Sequence, residues 1–495
     1  MNTFTKLNNS KFIYSLFVLI LLGCFFVRLY RFNNPIADWH SWRQADTSAV
    51  SRNFIKQGFD VLHPRFDDLS NVPSGLENPQ GYRFVEFPIY NLLQAGLYKF
   101  IPIMTLEEWG RMVTIIMSLF STLFIFFLVK KYLNVTAALF SAFFFAFLPF
   151  NIYYGRTILP DPSMVTAILG GIYFFDVWIE KNSKLKTQNS KLDFKIRKND
   201  VFLMISLIFT ASAFLLKPYA LFFTLPMIYL AIDHFKLAIF KQWKLYMFLI
   251  LSLVPLVAWR IWMTQYPAGI PVSAWLFNGN GIRFRPAFFR WMGDERLTKL
   301  ISGFFGMIFL VYGLIQVRKI KNYLFFCCFL LSSIIYVCVI ATGNVQHDYY
   351  QILIIPSIAI FYGIGAANMF NRSILWKIAV MLITIGTLYV GWSYVQPYFD
   401  IDNPSIVEAG QAVNKLVPAD AKVIAPYDGD TSFLYQTNRQ GWAEFEKSTQ
   451  QMIALGADYL VLEHPIPSDR VSWPKQFRLV MSTPDFIIID LKHKP

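Results

Sequence analysis

Charge is scarce in this sequence. Of its 495 residues only 15% are Asp, Glu, Lys or Arg, against ~25% in a typical soluble domain. That excludes a disordered chain, which needs high charge and few apolar residues. Cysteine is rarer still. Cys24, Cys327, Cys328 and Cys338 all lie in apolar stretches, and no pair has a metal-binding spacing. A disulfide scaffold and a zinc module are therefore excluded, and the four thiols read as small buried hydrophobes. No solenoid period is present either. Leu21-Leu22-Gly23-Cys24 has the outline of a lipoprotein processing site. Phe25-Phe26-Val27 carry the apolar run past it, and no small-residue cleavage site follows, so residues 12–29 read as a retained membrane helix.

What is abundant is apolar surface. Hydrophobic residues make up 55% of the chain and aromatics 18%, with 50 Phe. Apolar segments lie near 12–29, 110–129, 133–150, 163–180, 201–216, 218–232, 245–263, 300–316, 323–341, 351–370 and 377–396, which predicts about eleven transmembrane helices. Lys217-Pro218-Tyr219 splits the 201–232 stretch into two. The net charge of +14 would suit nucleic acid in a soluble protein, but here topology uses it. With the N-terminus cytoplasmic, the inside segments hold nineteen Lys and Arg and the short outside loops hold two, Arg156 and Lys217. The inside segments include a polar loop over Lys181–Asp200.

Three longer segments then face outward: residues 30–109, 264–299 and the tail from 397 to 495. The tail changes composition abruptly and reads as a small α/β domain. It has a helix over Glu408–Leu416 and strands at Lys422–Ala425, Tyr459–Leu462, Phe477–Met481 and Phe486–Leu491. The expected architecture is a polytopic α-helical membrane domain over 1–396, carrying a soluble extracytoplasmic α/β domain over 397–495.

Polar chemistry concentrates on the outer side. The first outer loop carries Asp38-Trp39-His40-Ser41-Trp42-Arg43-Gln44-Ala45-Asp46-Thr47 close to the first span. An interfacial aromatic belt explains the two Trp. It leaves the acid, imidazole, guanidinium and amide unexplained. Glu86 follows in Tyr82-Arg83-Phe84-Val85-Glu86-Phe87-Pro88, where capping is the competing reading. The second outer loop holds Tyr153, Arg156 and Asp161, and Asp161 also stands where a helix cap would. Lys217 marks a tight outer turn. Arg260 sits near the outer end of its span, where snorkelling would also place it. Gln346-His347-Asp348-Tyr349-Tyr350 form another outer loop. Charges near a membrane face are costly unless solvated or paired. Gathered on one side, they suggest a working cavity in which cations meet a lipid phosphate.

These motifs, in this order, resemble the GT-C membrane glycosyltransferases, in the branch of protein O-mannosyltransferases and the lipid A aminoarabinose transferase (family 39-like). The resemblance spans roughly residues 10–395. It rests on the acidic first outer loop, Glu86-Phe87-Pro88, Tyr153…Arg156…Asp161, Lys217-Pro218 and the His347–Tyr350 loop. It implies transfer of a sugar from a polyprenyl-phosphate carrier on the outer leaflet, with inversion, to a glycan, lipid or protein. The sequence departs from the family at the acid pair before a Tyr-Ala-x-x-Ala-Arg helix. Aligned on Arg52, Arg43-Gln44 stand there. The resemblance then places the base at Asp38 or Asp46, and Asp38 is favoured because N-capping accounts for Asp46.

The roles expected on this reading are these. Asp38 deprotonates the acceptor, with Asp161 and His40 also catalytic. Arg43, Lys217 and Arg260 bind the departing phosphate. Gln44, Asp46, Glu86, Arg156, His347 and Tyr350 contact substrate. No cofactor is required. A divalent metal on Asp38, His40 and Glu86 stays open, although no spacing signature supports it. A bacterial inner-membrane location follows from the resemblance. Two rival readings remain. Arg283, Arg285 and Arg290 would suit a ligase or polymerase with a diphosphate-linked donor, and the Lys217-Pro218 break would suit a polar-lipid transporter or flippase.

Overall fold

The computed structural model describes residues 3–183 and 197–495. The segment 184–196, within the expected inside loop, lies outside the described residues. Six helices among these residues are long and apolar enough to cross a membrane. They begin at Leu106, Asp161, Pro218, Trp243, Asp348 and Ile374. A seventh crossing exists if Pro286–Ile301 and Gly306–Lys319, bent by 113° against each other, count as one. The expected count of about eleven is therefore not confirmed. Val135–Phe147, Asp200–Leu216 and Tyr323–Val339 are apolar helices of no more than 17 residues, and the helix Thr3–Val27 has its apolar part over Lys11–Val27. At 1.5 Å per residue these apolar stretches reach at most the short end of what spans a ~30 Å core.

Phenylalanine and small residues pack the bundle. Phe126, Phe144, Phe309, Phe325, Phe361 and Tyr362 are fully buried in one continuous core. Gly313 and Gly365 let two helices meet backbone to backbone.

Residues 404–490 form helices around a five-stranded sheet. The strands are β1 (Val423–Ile424), β2 (Gly441–Trp442), β3 (Tyr459–Glu463), β4 (Arg478–Ser482) and β5 (Phe486–Asp490), in the order β2-β1-β3-β5-β4. β1 runs parallel to β2 and β3, whereas β5 is antiparallel to β3 and β4. The all-buried Phe-Ile-Ile-Ile-Asp of β5 makes it the centre of the sheet's core. β2 escaped the sequence reading because two residues carry no periodicity.

The first outer loop is woven into this sheet. Asp68 pairs in parallel with Gly441, with Leu69 N donating to Gly441 O at 2.7 Å and Gly441 N donating to Asp67 O at 2.9 Å. Residues 67–69 thus extend the sheet beyond β2. Gly441 is required there, because a Cβ would meet the Val423 carbonyl oxygen at 1.8 Å.

Candidate active site

The helix Ser41–Gln57 organises the outer side. His40 precedes it at φ 55°, a left-handed conformation that His tolerates better than most residues. This turn separates Asp38 from the helix that follows. Although its sequence is polar, the helix is buried over most of its length, between the bundle and the C-terminal unit. Each buried polar side chain therefore needs a partner. Arg43 donates through one nitrogen to both Glu86 oxygens, at 2.8 and 2.9 Å. Asp46 accepts from Arg83 at 2.5 Å and from the Thr431 hydroxyl at 2.7 Å. Ser51 donates to Gln94 at 2.7 Å.

A cavity of about 740 Å³ opens beside this helix. One wall is cationic, with Arg43, Lys217 and Arg260. Lys217 sits in extended conformation before Pro218, as a residue preceding proline must. Its ammonium donates to both Asp161 oxygens, at 2.7 and 2.9 Å. Arg260 differs. Its only side-chain hydrogen bond among the described residues is to Met263 Sδ at 3.8 Å, and no carboxylate lies within ion-pair distance, although the charge of Glu86 acts on it from further off. A further part of the lining is acidic, with Asp46, Asp68, Asp428 and Asp430, and Arg83 is paired to Asp46 within it. Burial pushes the Asp68 carboxyl up to about 6, although Ser70 donates two hydrogen bonds to it. Burial likewise raises Asp430, which caps the short helix Thr431–Gln436. Tyr219, His347, Tyr349 and Tyr350 line the cavity as well. Burial and the neighbouring His40 lower His347 to about 4, so its imidazole is neutral at pH 7. Leu221 and Phe277 line the cavity and are also exposed on the outside of the molecule, which gives it an apolar mouth.

The residues singled out in the sequence divide into two groups. Arg43, Asp46, Lys217, Arg260, His347 and Tyr350 all line the cavity. Asp38, His40, Gln44, Glu86, Arg156 and Asp161 do not. Asp38 has no exposed side-chain surface, and its oxygens accept from Arg156 at 3.0 Å and Gln44 at 2.7 Å. That carboxylate is enclosed and does not line the cavity. His40 is held by Asp348 at 2.7 Å, beside the Tyr154 and Tyr398 hydroxyls on the same carboxylate, each at 2.5 Å. Glu86 is occupied by Arg43, and Asp161 by Lys217. Asp38, His40 and Glu86 are thus bound to three different partners and do not converge on a cation. Among the described residues no group of three or more His, Cys, Asp or Glu is placed to hold a metal ion. Arg283 is spent on the Phe277 and Val339 carbonyls, and neither it nor Arg285 nor Arg290 lines the cavity.

Sequence reasoning passed over Arg83, Asp68, Asp428, Asp430 and Thr431. Arg83 stands in a motif that was read for Glu86 alone. The Asp428-Gly429-Asp430-Thr431 run carries a turn signal, with φ 50° at Asp428 and 76° at Gly429, but nothing local ties it to the membrane helices.

Residues 88–188 match the family model described as dolichyl-phosphate-mannose-protein mannosyltransferase. No curated protein matches the sequence. Among solved structures, ArnT from Cupriavidus metallidurans bound to undecaprenyl phosphate superposes with a TM-score of 0.63 at 11% identity, covering 96% of this chain and 97% of that one. The apo oligosaccharyltransferase of Archaeoglobus fulgidus gives 0.57 at 12% identity, over 91% of this chain and 69% of its own. AglB of the same organism, in complex with an inhibitory peptide and a dolichol-phosphate, gives 0.55 at 11%, over 92% and 70%. At such identities the superpositions speak for the fold. Together with the family model over residues 88–188, they show that the chain has the membrane fold of ArnT and AglB and resembles the GT-C glycosyltransferases.

Proposed function

We propose that the chain is an inverting glycosyltransferase that moves a sugar from a polyprenyl-phosphate carrier to a hydroxyl-bearing acceptor at the outer face of the membrane. The observation that carries this reading is Arg260. It is a guanidinium without a carboxylate partner among the described residues, on a cavity wall shared with Lys217 and Arg43 and close to an apolar mouth. A phosphate on a hydrocarbon tail supplies the missing anion and fits the mouth. The bacterial inner membrane, with a cytoplasmic N-terminus, agrees with the distribution of Lys and Arg. Residues 1–396 serve as the catalytic domain and 397–495 as an extracytoplasmic domain.

On this reading the base is Asp46, not the enclosed Asp38. Asp46 lines the cavity and takes the acceptor proton. The anomeric carbon passes through an oxocarbenium-like state. The phosphate leaves as an anion stabilised by Arg260, Lys217 and Arg43, so no strong general acid is needed. Asp161 holds Lys217 in place, and Glu86 holds Arg43. His347 and Tyr350 contact the sugar as neutral groups. Gln44, Arg156 and His40 fix the loop behind the helix. Four carboxylates on the acceptor wall repel an anionic acceptor and suit a neutral or cationic polyhydroxyl one.

The test uses purified full-length protein in detergent with a panel of polyprenyl-phosphate sugars, following release of free polyprenyl phosphate. Release by wild type, lost in Asp46→Asn, is the expected result. No release from any donor by folded protein would overturn the donor class.

A further inference from the structure

The C-terminal unit is welded to the helix that carries Asp46. Its short helix Thr431–Gln436 lies directly on Ser41–Gln57. The Tyr435 hydroxyl donates to Glu107 and meets Ser48 Oγ at 2.9 Å. The Arg52 guanidinium stacks 3.9 Å from the Tyr435 ring centroid and binds Asp67. Gln436 donates to the Ile36 carbonyl at 2.8 Å. These contacts seat Asp428, Asp430 and Thr431 at the cavity, and one of them reaches Asp46. Thr431 Oγ1 donates to Asp46 Oδ1 at 2.7 Å, while Arg83 holds Oδ2 at 2.5 Å.

We infer that Thr431 is a positioning residue for catalysis, through which the C-terminal unit sets the rotamer of Asp46. The inference rests on Asp46 being the base. With Arg83 alone, a single oxygen is fixed and the carboxylate is free to turn about its χ angles. With Thr431 both oxygens are tethered from two different segments, while the residue still lines the cavity. A carboxylate can accept more than two hydrogen bonds, so an acceptor hydroxyl still finds a place. A base held in this way reaches its acceptor without reorganising. The outer unit is then a working part of the reaction centre as well as a cover. The function splits across two segments that lie at opposite ends of the sequence.

The experiment is a double-mutant cycle on the full chain. Thr431→Val keeps the branched shape and removes the donor. Thr431→Ser keeps the hydroxyl. With the donor that wild type turns over, Thr431→Val is expected to lower kcat by about tenfold, the worth of a hydrogen bond to a charged group. KM for that donor stays within about twofold, because the phosphate wall is untouched. Thr431→Ser restores kcat. In an Asp46→Asn background Thr431→Val has no further effect on the residual rate. A loss confined to KM, a failure of Ser to rescue, or an additive loss in Asp46→Asn would overturn the inference. Full turnover by Asp46→Asn itself would instead overturn the base on which the inference rests. A second arm needs no donor. Thermal unfolding of the same four proteins should show the two substitutions together costing no more than the larger alone, and strict additivity would refute the coupling.

Discussion

Asp38→Asn separates two accounts of this site. Asp38 and Arg156 have no exposed side-chain surface and meet at 3.0 Å. Arg156 is also repelled by the nearby Arg111, and its Nε has no partner. Removing the Asp38 charge therefore leaves a guanidinium enclosed without a counter-ion. Breaking one side of a buried pair costs about 3–5 kcal/mol, a large share of the ~5–15 kcal/mol that holds a typical protein folded. The thermal midpoint of Asp38→Asn in detergent should fall by several degrees. Replacing the partner as well, in Asp38→Asn with Arg156→Met, should recover most of the loss, since the lone charge is then gone. Turnover per folded molecule should stay within about tenfold of wild type, because no cavity group has been removed. The assay pairs thermal unfolding with release of polyprenyl phosphate. An Asp38→Asn protein with the wild-type midpoint and turnover lowered by about two to four orders of magnitude, the worth of a positioned base, would refute this reasoning and return the base to Asp38.

Other perturbations give distinct outcomes. Arg260→Gln removes a cation that no carboxylate depends on, so stability should hardly change while KM for the donor rises about tenfold or more; an unchanged KM would remove Arg260 from the phosphate site. Asp68 is raised to about 6 by burial, above its unfolded value. Its charge therefore destabilises the fold increasingly as pH rises from about 4 to 6, by up to about 3 kcal/mol. Asp68→Asn should raise the thermal midpoint at pH 8 and leave it unchanged near pH 4, and equal midpoints at pH 8 would contradict this. Gly441→Ala drives a methyl group into the Val423 carbonyl. It should release residues 67–69 from the sheet, seen as new protease cleavage in the first outer loop and loss of turnover together.

Much of this layout was legible in the sequence, and the reasons for the gaps are physical. Apolar runs mark a membrane protein, and the polar residues set apart from them gather around one cavity, because the cost of burying charge acts on every residue alike. Lys217 and Asp161 were singled out separately, and they meet as an ion pair. Asp38 and Asp46 could not be ranked by position. Both stand among the same Trp, His and Arg neighbours, and the left-handed turn at His40 sends one inward and leaves the other on the cavity. Thr431 was invisible, since it meets Asp46 across 385 positions and a hydroxyl in a turn carries no signal of its own. The count of eleven is not confirmed because several apolar runs, such as 201–216 and 323–341, form helices of no more than 17 residues.

The pairing of residues 67–69 with Gly441 constrains how this protein can be assembled. The early segment is made long before its partner, so its edge donors wait while the intervening 370 or so residues are made. Contacts of such separation form slowly, and an open strand edge meanwhile invites pairing with a wrong chain. Assembly therefore cannot proceed unit by unit from one end to the other. The cavity beside Ser41–Gln57 is not complete until residues near 430 have met residues near 46.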